Sequence, residues 1–452
     1  MKYLAKKIYA LFALCILFSL NVSAATEITI ASITADDMKR LKGYSDVFEK
    51  ANPDIKLNFL VLGDVELLDR VTADITGQGG QFDVIFLSPF QVQNWGNEGL
   101  LLPVDDAPSS YDYNDLLPSV KNGLTIDGKM MAVPFYGESS FTYYRKDLFE
   151  KAGLTMPEKP TWDQMYEFAE AIHDPDNEIY GICMRGAAHW GLNLNILATI
   201  ANGYGGSWFD MDWNPQFTSE PWRKATNLYV DILNKFGPPG ATTIGVTENV
   251  TLVNTGRCAM WIDATVIAGN VTNPENSLVH DQLGFARAPC GTTCKGSGWA
   301  WTWAMGIPKT SNKVDAAKKY IYWATSKEYN NMVKEKDGQK YVLPGTRKST
   351  YTQEYIDSAD FVQLTLDAIN DADISDPSVN EVPYVGISFL FMPDFQGFAG
   401  RIANEISAAQ VGDKSVDDAL AAAQEIALES LNIAADICIY TNHNIISETI
   451  EL

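Results

Sequence analysis

The sequence predicts an α/β protein divided into two lobes, and three observations carry that expectation. Runs rich in β-branched residues alternate with stretches of three-to-four apolar spacing, a β-α-β-α-β order that implies a parallel sheet covered by helices on both faces. More strand-like runs follow than a single sheet is expected to absorb. The chain has 452 residues, 46% hydrophobic and 20% charged, which is material for two or three cores at ~100–200 residues each.

At the start, Lys2, Lys6 and Lys7 precede an apolar run over 8–20, and Val22-Ser23-Ala24 follows with small residues. This is the pattern of a secretory signal peptide spanning 1–24, so export is expected. The run falls short of the ~20 residues a membrane-spanning helix needs. Cys15 follows Leu14 and lacks the small neighbour that a lipid-attachment signal wants. Residues 27–32 then read as a strand, and 37–51 as a helix with Met38, Leu41, Tyr44, Val47 and Phe48 on one face. Asn52-Pro53-Asp54 stops that helix. Alternation marks 55–59 as a second strand, 64–76 is helical, and glycines at 77, 79 and 80 lead into 82–87. That last run is continuously apolar, as a strand covered on both faces should be. Residues 180–184 and 258–262 are short apolar strands, separated by helical stretches at 161–172, 194–204 and 221–236. A strand at 299–307 ends at Pro308, an amphipathic helix covers 314–326, and the Ala-rich segment after 395 is helical.

Charge and motifs exclude several functions. Lys+Arg 34 against Asp+Glu 57 gives a formal net charge of −23, which argues against polyanionic partners such as nucleic acid or an anionic membrane. No H-E-x-x-H, G-x-S-x-G or G-x-x-x-x-G-K-[ST] occurs. The glycines at 77–80 precede a strand, so they cannot present a helix N-terminus to a phosphate. Asp210-x-Asp212-x-Asn214 begins like a calcium loop but lacks the glycine and the closing glutamate. His173, His189, His280 and His443 are scattered, and neither metal nor cofactor is expected. Cys290 and Cys294 enclose the turn sequence Gly291-Thr292-Thr293, which a bridge would staple. Cys183 and Cys258 either pair, if their strands are neighbours, or remain buried thiols, and Cys438 is left over.

What remains is a set of aromatic and polar clusters near strand ends. Tyr136-Gly137-Glu138-Ser139-Ser140 follows an extended Val133-Pro134, and Trp261-Ile262-Asp263-Ala264-Thr265 sets a carboxylate just past a strand. Trp299, Trp301 and Trp303 alternate and so share one strand face, while Pro344-Gly345-Thr346-Arg347 puts a guanidinium on a turn. Such groups suit a neutral polyhydroxylated ligand: carboxylates and Arg engage vicinal hydroxyls, and indoles cover C–H surface. A Trp in a strand more often serves a core, but a buried Asp without an evident counter-ion demands a partner.

Several stretches occur together in order: Gly80-Gln81-Phe82-Asp83-Val84, Pro134-Phe135-Tyr136-Gly137-Glu138-Ser139-Ser140-Phe141-Thr142, Tyr144-Arg145-Lys146-Asp147-Leu148-Phe149, Tyr180-Gly181-Ile182-Cys183, Cys258 to Thr265, and Pro344-Gly345-Thr346-Arg347. From about 26 to 424 the chain resembles the extracellular solute-binding proteins of bacterial ABC sugar importers, the maltose-binding-protein group, and more closely its sorbitol/mannitol (polyol) binders. The resemblance implies a two-lobed periplasmic binding protein fold, with the ligand cleft between lobes joined by hinge crossings. One lobe would be 25–134 with 287–340, and the other 135–286 with 341–452. By position it puts Glu138, Asp263, Trp301 and Arg347 in the cleft, with Ser88, Phe90 and Gln91 in a loop that lacks the charged pair of the maltose binders. Tyr136, Trp190 and Tyr384 are further candidates. The implied protein is a non-enzymatic, cofactor-free, periplasmic monomer that delivers a linear polyol to membrane permease subunits. The alternatives are a binder of a monosaccharide or short oligosaccharide and, from another class, a secreted carbohydrate-active enzyme using paired carboxylates.

Overall fold

A computed structural model describes residues 25–392 and 394–437. The expected signal peptide at 1–24 with Cys15, and Cys438 and His443 near the other end, lie outside the described residues. Along the chain, β1 (Thr26–Ile33) is followed by α1 (Asp36–Gly43), α2 (Ser45–Ala51), β2 (Ile55–Leu62), α3 (Asp64–Thr76), β3 (Val84–Leu87), α4 (Pro89–Asn97) and β4 (Leu101–Leu102). The single helix expected at 37–51 is two, because Tyr44 leaves the helical region at φ −98° and ψ 13°. Then come β5 (Ala132–Glu138), β6 (Ser140–Arg145), α5 (Trp162–Ile172), α6 (Asn193–Gly203), α7 (Glu220–Phe236), α8 (Val246–Asn254), β7 (Met260–Ala264), α9 (Ala268–Val271) and β8 (Leu283–Arg287). The remainder contains β9 (Trp301–Pro308), α10 (Val314–Ala324), α11 (Phe361–Asp371), α12 (Phe395–Val411) and α13 (Val416–Ile437).

The first sheet runs β2-β1-β3-β9-β4, with β5 also paired to β9. β1 is parallel to β2 and β3, as the alternating pattern predicts. β9 is antiparallel to β3 and to β5, so the sheet is mixed rather than all-parallel. The reason is that β9 does not arrive by a helical crossover from β3; it re-enters from the second sheet. Asp83, in the stretch that carries the resemblance, is a structural residue. Buried, it accepts from Thr29 N at 2.8 Å, Ser311 Oγ at 2.7 Å and Lys313 Nζ at 3.0 Å.

The second sheet, β8-β6-β7, is antiparallel. The strand expected at 180–184 exists only as isolated parallel bridges, Tyr180 to Cys258 and Cys183 to Trp261, along the edge of β7. That adjacency lets Cys183 and Cys258 form a disulfide, and Cys290 and Cys294 form the other. Helices α5 to α7, α12 and α13 supply most of the core on one face of this sheet. On α7, Trp222, Ala225, Tyr229, Ile232, Leu233 and Phe236 are buried at helical spacing. Large side chains of this kind contribute ~1.5–3 kcal/mol each. Among the described residues no helix is long and apolar enough to cross a membrane.

The chain passes between the sheets at Ser139, between Arg287 and Trp301, and near Gly345. At the first crossing Thr265 N donates to Ser139 O at 2.9 Å and Ser139 N to Thr265 Oγ1 at 3.2 Å. At the third, Gly137 N donates to Pro344 O at 3.0 Å. Gly345 has φ +68°, and a Cβ there would stand 2.3 Å from Gly137 O, so both conformation and space require glycine.

Candidate functional site

These crossings border a cavity of about 910 Å³ lined from both sheets. One wall consists of the β1–α1 turn, the end of β3, α4, β5 and the start of β9; the facing wall comes from 185–195, 245–250, 264–276 and Phe389.

Strand register builds the aromatic part. Trp301 lies opposite Glu138, and Trp303 opposite Tyr136, in the β9–β5 pair. All four line the cavity, as does Trp299, which precedes the strand but continues the alternation. The Trp301 ring is 5.8 Å from that of Trp303, 6.2 Å from Trp190 and 4.8 Å from Phe389. Trp190 meets Phe389 edge-on at 5.4 Å.

Arg185 dominates the polar floor. Its Nε donates to the two carboxylate oxygens of Asp263 at 3.2 and 3.1 Å, and Nη2 makes a further bond to Oδ1. Nη1 donates to Gly191 O at 3.0 Å, and the guanidinium carbon sits 5.0 Å over the Trp299 ring. Tyr229 OH donates to Arg185 O at 2.8 Å. Asp263 is fully buried and also accepts from Ala264 N at 2.7 Å. These charges converge on Tyr143, whose phenol is pushed well above its ordinary value by burial first, then by the carboxylates of Asp263 and Glu138, against the pull of Arg185. His189 accepts from Gly191 N at Nδ1, 3.0 Å, leaving Nε2 to carry the proton of the neutral ring. Burial lowers its pKa, opposed by Asp69. Asn195, fully buried on α6, lines the cavity, and neither of its amide atoms has a hydrogen-bond partner among the described residues.

The sequence candidates therefore divide. Glu138, Tyr136, Trp190, Trp301 and Gln91 line the cavity. Asp263 stands behind the lining, bonded to Arg185. Ser88 is buried outside the lining and forms a capping box with Gln91 at the start of α4, its backbone N–H donating to Gln91 Oε1 at 2.8 Å. Phe90 leaves the cavity to enter the second lobe's core, 6.0 Å from Phe395. Tyr384 is held by Trp208 N, which donates to its hydroxyl at 2.9 Å, away from the cavity. Arg347 corrects an expectation: it is buried outside the cavity and donates to carbonyls of Thr325, Tyr111 and Asp112 and to Asp115. Its fork secures chain ends left open at helical termini rather than a ligand. Arg185, His189, Asn195 and Phe389 are residues that sequence reasoning missed. The one usable signal was the pair Asn193 and Asn195 inside the otherwise apolar start of α6.

Among the described residues, no group of three or more His, Cys, Asp or Glu could hold a metal. The arrangement offers paired hydrogen-bond donors and acceptors beside indole faces, in a cleft between two lobes. That is the site of a solute-binding protein. The chain belongs to the bacterial extracellular solute-binding protein family, whose model matches residues 30–331. It is 45% identical to the mannitol-binding protein of Pseudomonas aeruginosa over 92% of this chain and 95% of that one. A solved ABC transporter solute-binding protein from Agrobacterium vitis with bound D-mannitol superposes with a TM-score of 0.88 at 47% identity, covering 91% of this chain and 99% of the other. A ribitol-bound protein from Agrobacterium radiobacter shares the fold, with a TM-score of 0.80 at 22% identity over 90% and 99% of the two chains.

Proposed function

We propose that this protein is the periplasmic binding subunit of an ABC importer for a linear polyol, mannitol or sorbitol, which it hands intact to the membrane permease. The observation that carries the reading is the identity of 45% and 47%, across more than nine-tenths of the chain, to a mannitol binder and to a structure holding D-mannitol. The cavity supports it chemically. Glu138 accepts hydroxyl protons, Arg185 and His189 donate, Asn195 and Gln91 do both, and Trp190, Trp301 and Trp303 enclose the C–H surface. A few charge-assisted bonds at ~1.5–3 kcal/mol each suffice for a micromolar site near −8 kcal/mol. The expected lobe bounds shift, since β5 pairs with β9 in the first sheet and β8 with β6 in the second; we take the lobes as about 25–138 with 301–344 and 139–300 with 345–437, and the working form as an exported monomer without affinity for nucleic acid.

Calorimetric titration with mannitol, sorbitol and a panel of hexoses tests the reading. Binding of a hexitol with weaker or absent binding of hexoses is expected. Failure of every polyol would remove it. The room in the cavity favours one second reading, a monosaccharide or short oligosaccharide with a ring stacked on Trp301, and tighter binding of a pyranose in the same titration would select it.

A further inference from the structure

We infer that the Cys183–Cys258 disulfide is a positioning element of the binding site, holding the Arg185 guanidinium where it meets the ligand. The inference rests on the reading above, in which Arg185 donates to a ligand hydroxyl.

Arg185 and Asp263 come from segments 78 residues apart, and what brings them together is a narrow strip of backbone. Residues 180–183 join the edge of β7 by only a few bonds: Tyr180 N to Arg257 O, Ala259 N to Tyr180 O, and Cys183 N to Met260 O, each 2.8 Å. No continuous ladder forms, only the two bridges. Gly181 N to His173 Nδ1 and Ile182 N to Phe236 O, both 3.3 Å, also hold the segment, but neither partner lies on β7, and a one-residue slip along that strand would turn its side chains to the other face. The disulfide crosses this strip between its two segments. It is buried, with Cys183 at 0% and Cys258 at 3% exposure. Arg185 lies two residues beyond Cys183, and Asp263 two residues beyond Trp261, the bridge partner of Cys183. The covalent bond therefore sets the register on which the ion pair depends. The second disulfide, Cys290–Cys294, does nothing of the kind. It lies where Cys290 pairs with the start of α5, Cys290 N donating to Pro160 O at 2.8 Å, and neither cysteine lines the cavity.

The experiment is a double-mutant cycle on the full chain, read by calorimetric titration with D-mannitol and by thermal melting. Its members are Cys183→Ala/Cys258→Ala, Arg185→Ala, and the two combined, with Cys290→Ala/Cys294→Ala as control. The expected result is an affinity loss of about tenfold for the Cys183/Cys258 pair and at least as much for Arg185→Ala. The combined variant should be no weaker than Arg185→Ala alone, because a device that works through Arg185 has nothing left to position. The control should keep its affinity. A general loosening of the lobe would instead give additive losses, and that result, or unchanged affinity in the Cys183/Cys258 pair, overturns the inference while leaving the site intact. Unchanged affinity in Arg185→Ala removes both the role of Arg185 and the inference. Should the alanine pair fail to fold, Cys183→Val/Cys258→Ala refills the vacated volume and is read by the same cycle.

Discussion

Replacing Asp263 by asparagine perturbs the floor of the cleft with almost no change of shape. Asp263 has no exposed surface, and Arg185 keeps only 11% of its side-chain surface. Breaking a buried pair from one side costs ~3–5 kcal/mol, since the surviving charge is left without its partner. Because Arg185 has an edge on the cavity and retains its bond to Gly191 O, the lower end, about 3 kcal/mol, is expected. For a cooperative unit the size of one lobe, ~2–4 °C accompany each kcal/mol, so the melting midpoint should fall by roughly 6–12 °C. Affinity should fall as well. A guanidinium no longer gripped on two nitrogens samples other rotamers, and forfeiting one charge-assisted bond of ~1.5–3 kcal/mol means a loss of tenfold or more. Scanning calorimetry gives the first quantity and titration with D-mannitol the second. An unchanged midpoint together with unchanged affinity would refute the account of Asp263 as the support of Arg185.

Arg347→Met should behave oppositely: a lower melting midpoint, from carbonyls of Thr325 and Tyr111 left without their donor at ~1–3 kcal/mol each, with D-mannitol affinity preserved in the folded fraction. A loss of affinity at constant stability would return Arg347 to the cleft. Gly345→Ala should destabilise by more than the ~1–2 kcal/mol that a left-handed backbone costs a residue with Cβ, since the new carbon also meets Gly137 O; denaturant titration measures this. The lowered pKa of His189 makes the unfolded chain bind more protons than the native one as pH falls below 6.5, so stability is lost through that window. His189→Gln should flatten that part of the profile of melting temperature against pH, and an unaltered slope would count against the assignment.

How far the sequence could be read depended on how local each signal was. The helix Asp64–Thr76 came out with the bounds its local pattern gives, the strand expected at 27–32 is one residue longer at each end, and the one expected at 82–87 starts two residues later, at Val84. β6 was missed, because Ser140–Arg145 is buried along nearly all its length and shows no alternation to detect. In the site, Glu138 was legible through its position in the stretch that carries the resemblance, and Trp301 through that resemblance together with the alternation of Trp299, Trp301 and Trp303, which puts all three on one strand face. Asp263 was legible as a carboxylate in need of a partner. The partner was not, since two isolated bridges create the pairing and leave no periodicity in the sequence. Arg347 misled for a related reason: a guanidinium on a turn looks the same whether it faces a ligand or the open carbonyls at Thr325 and Tyr111.

The charge arrangement also bears on what kind of guest the cleft accepts. A neutral polyol brings no counter-ion, so any cation it meets must be compensated by the protein beforehand. Arg185 satisfies that condition. Its charge is balanced by Asp263 before anything binds, and its orientation is set by Gly191 O and by the Trp299 face. Had the guanidinium faced the cavity unpaired, an anionic sugar such as a phosphate ester would be the better guest, since it would neutralise the site on entry. With the pair in place, an added anion would meet Glu138 on one side and a cation already spoken for on the other. The same geometry therefore favours hydroxyls and disfavours charge, a discrimination achieved by repulsion as much as by attraction. Mannitol 1-phosphate, added to the titration panel, should accordingly bind far more weakly than mannitol, and comparable affinity would show that Asp263 does not neutralise Arg185 as the cleft requires.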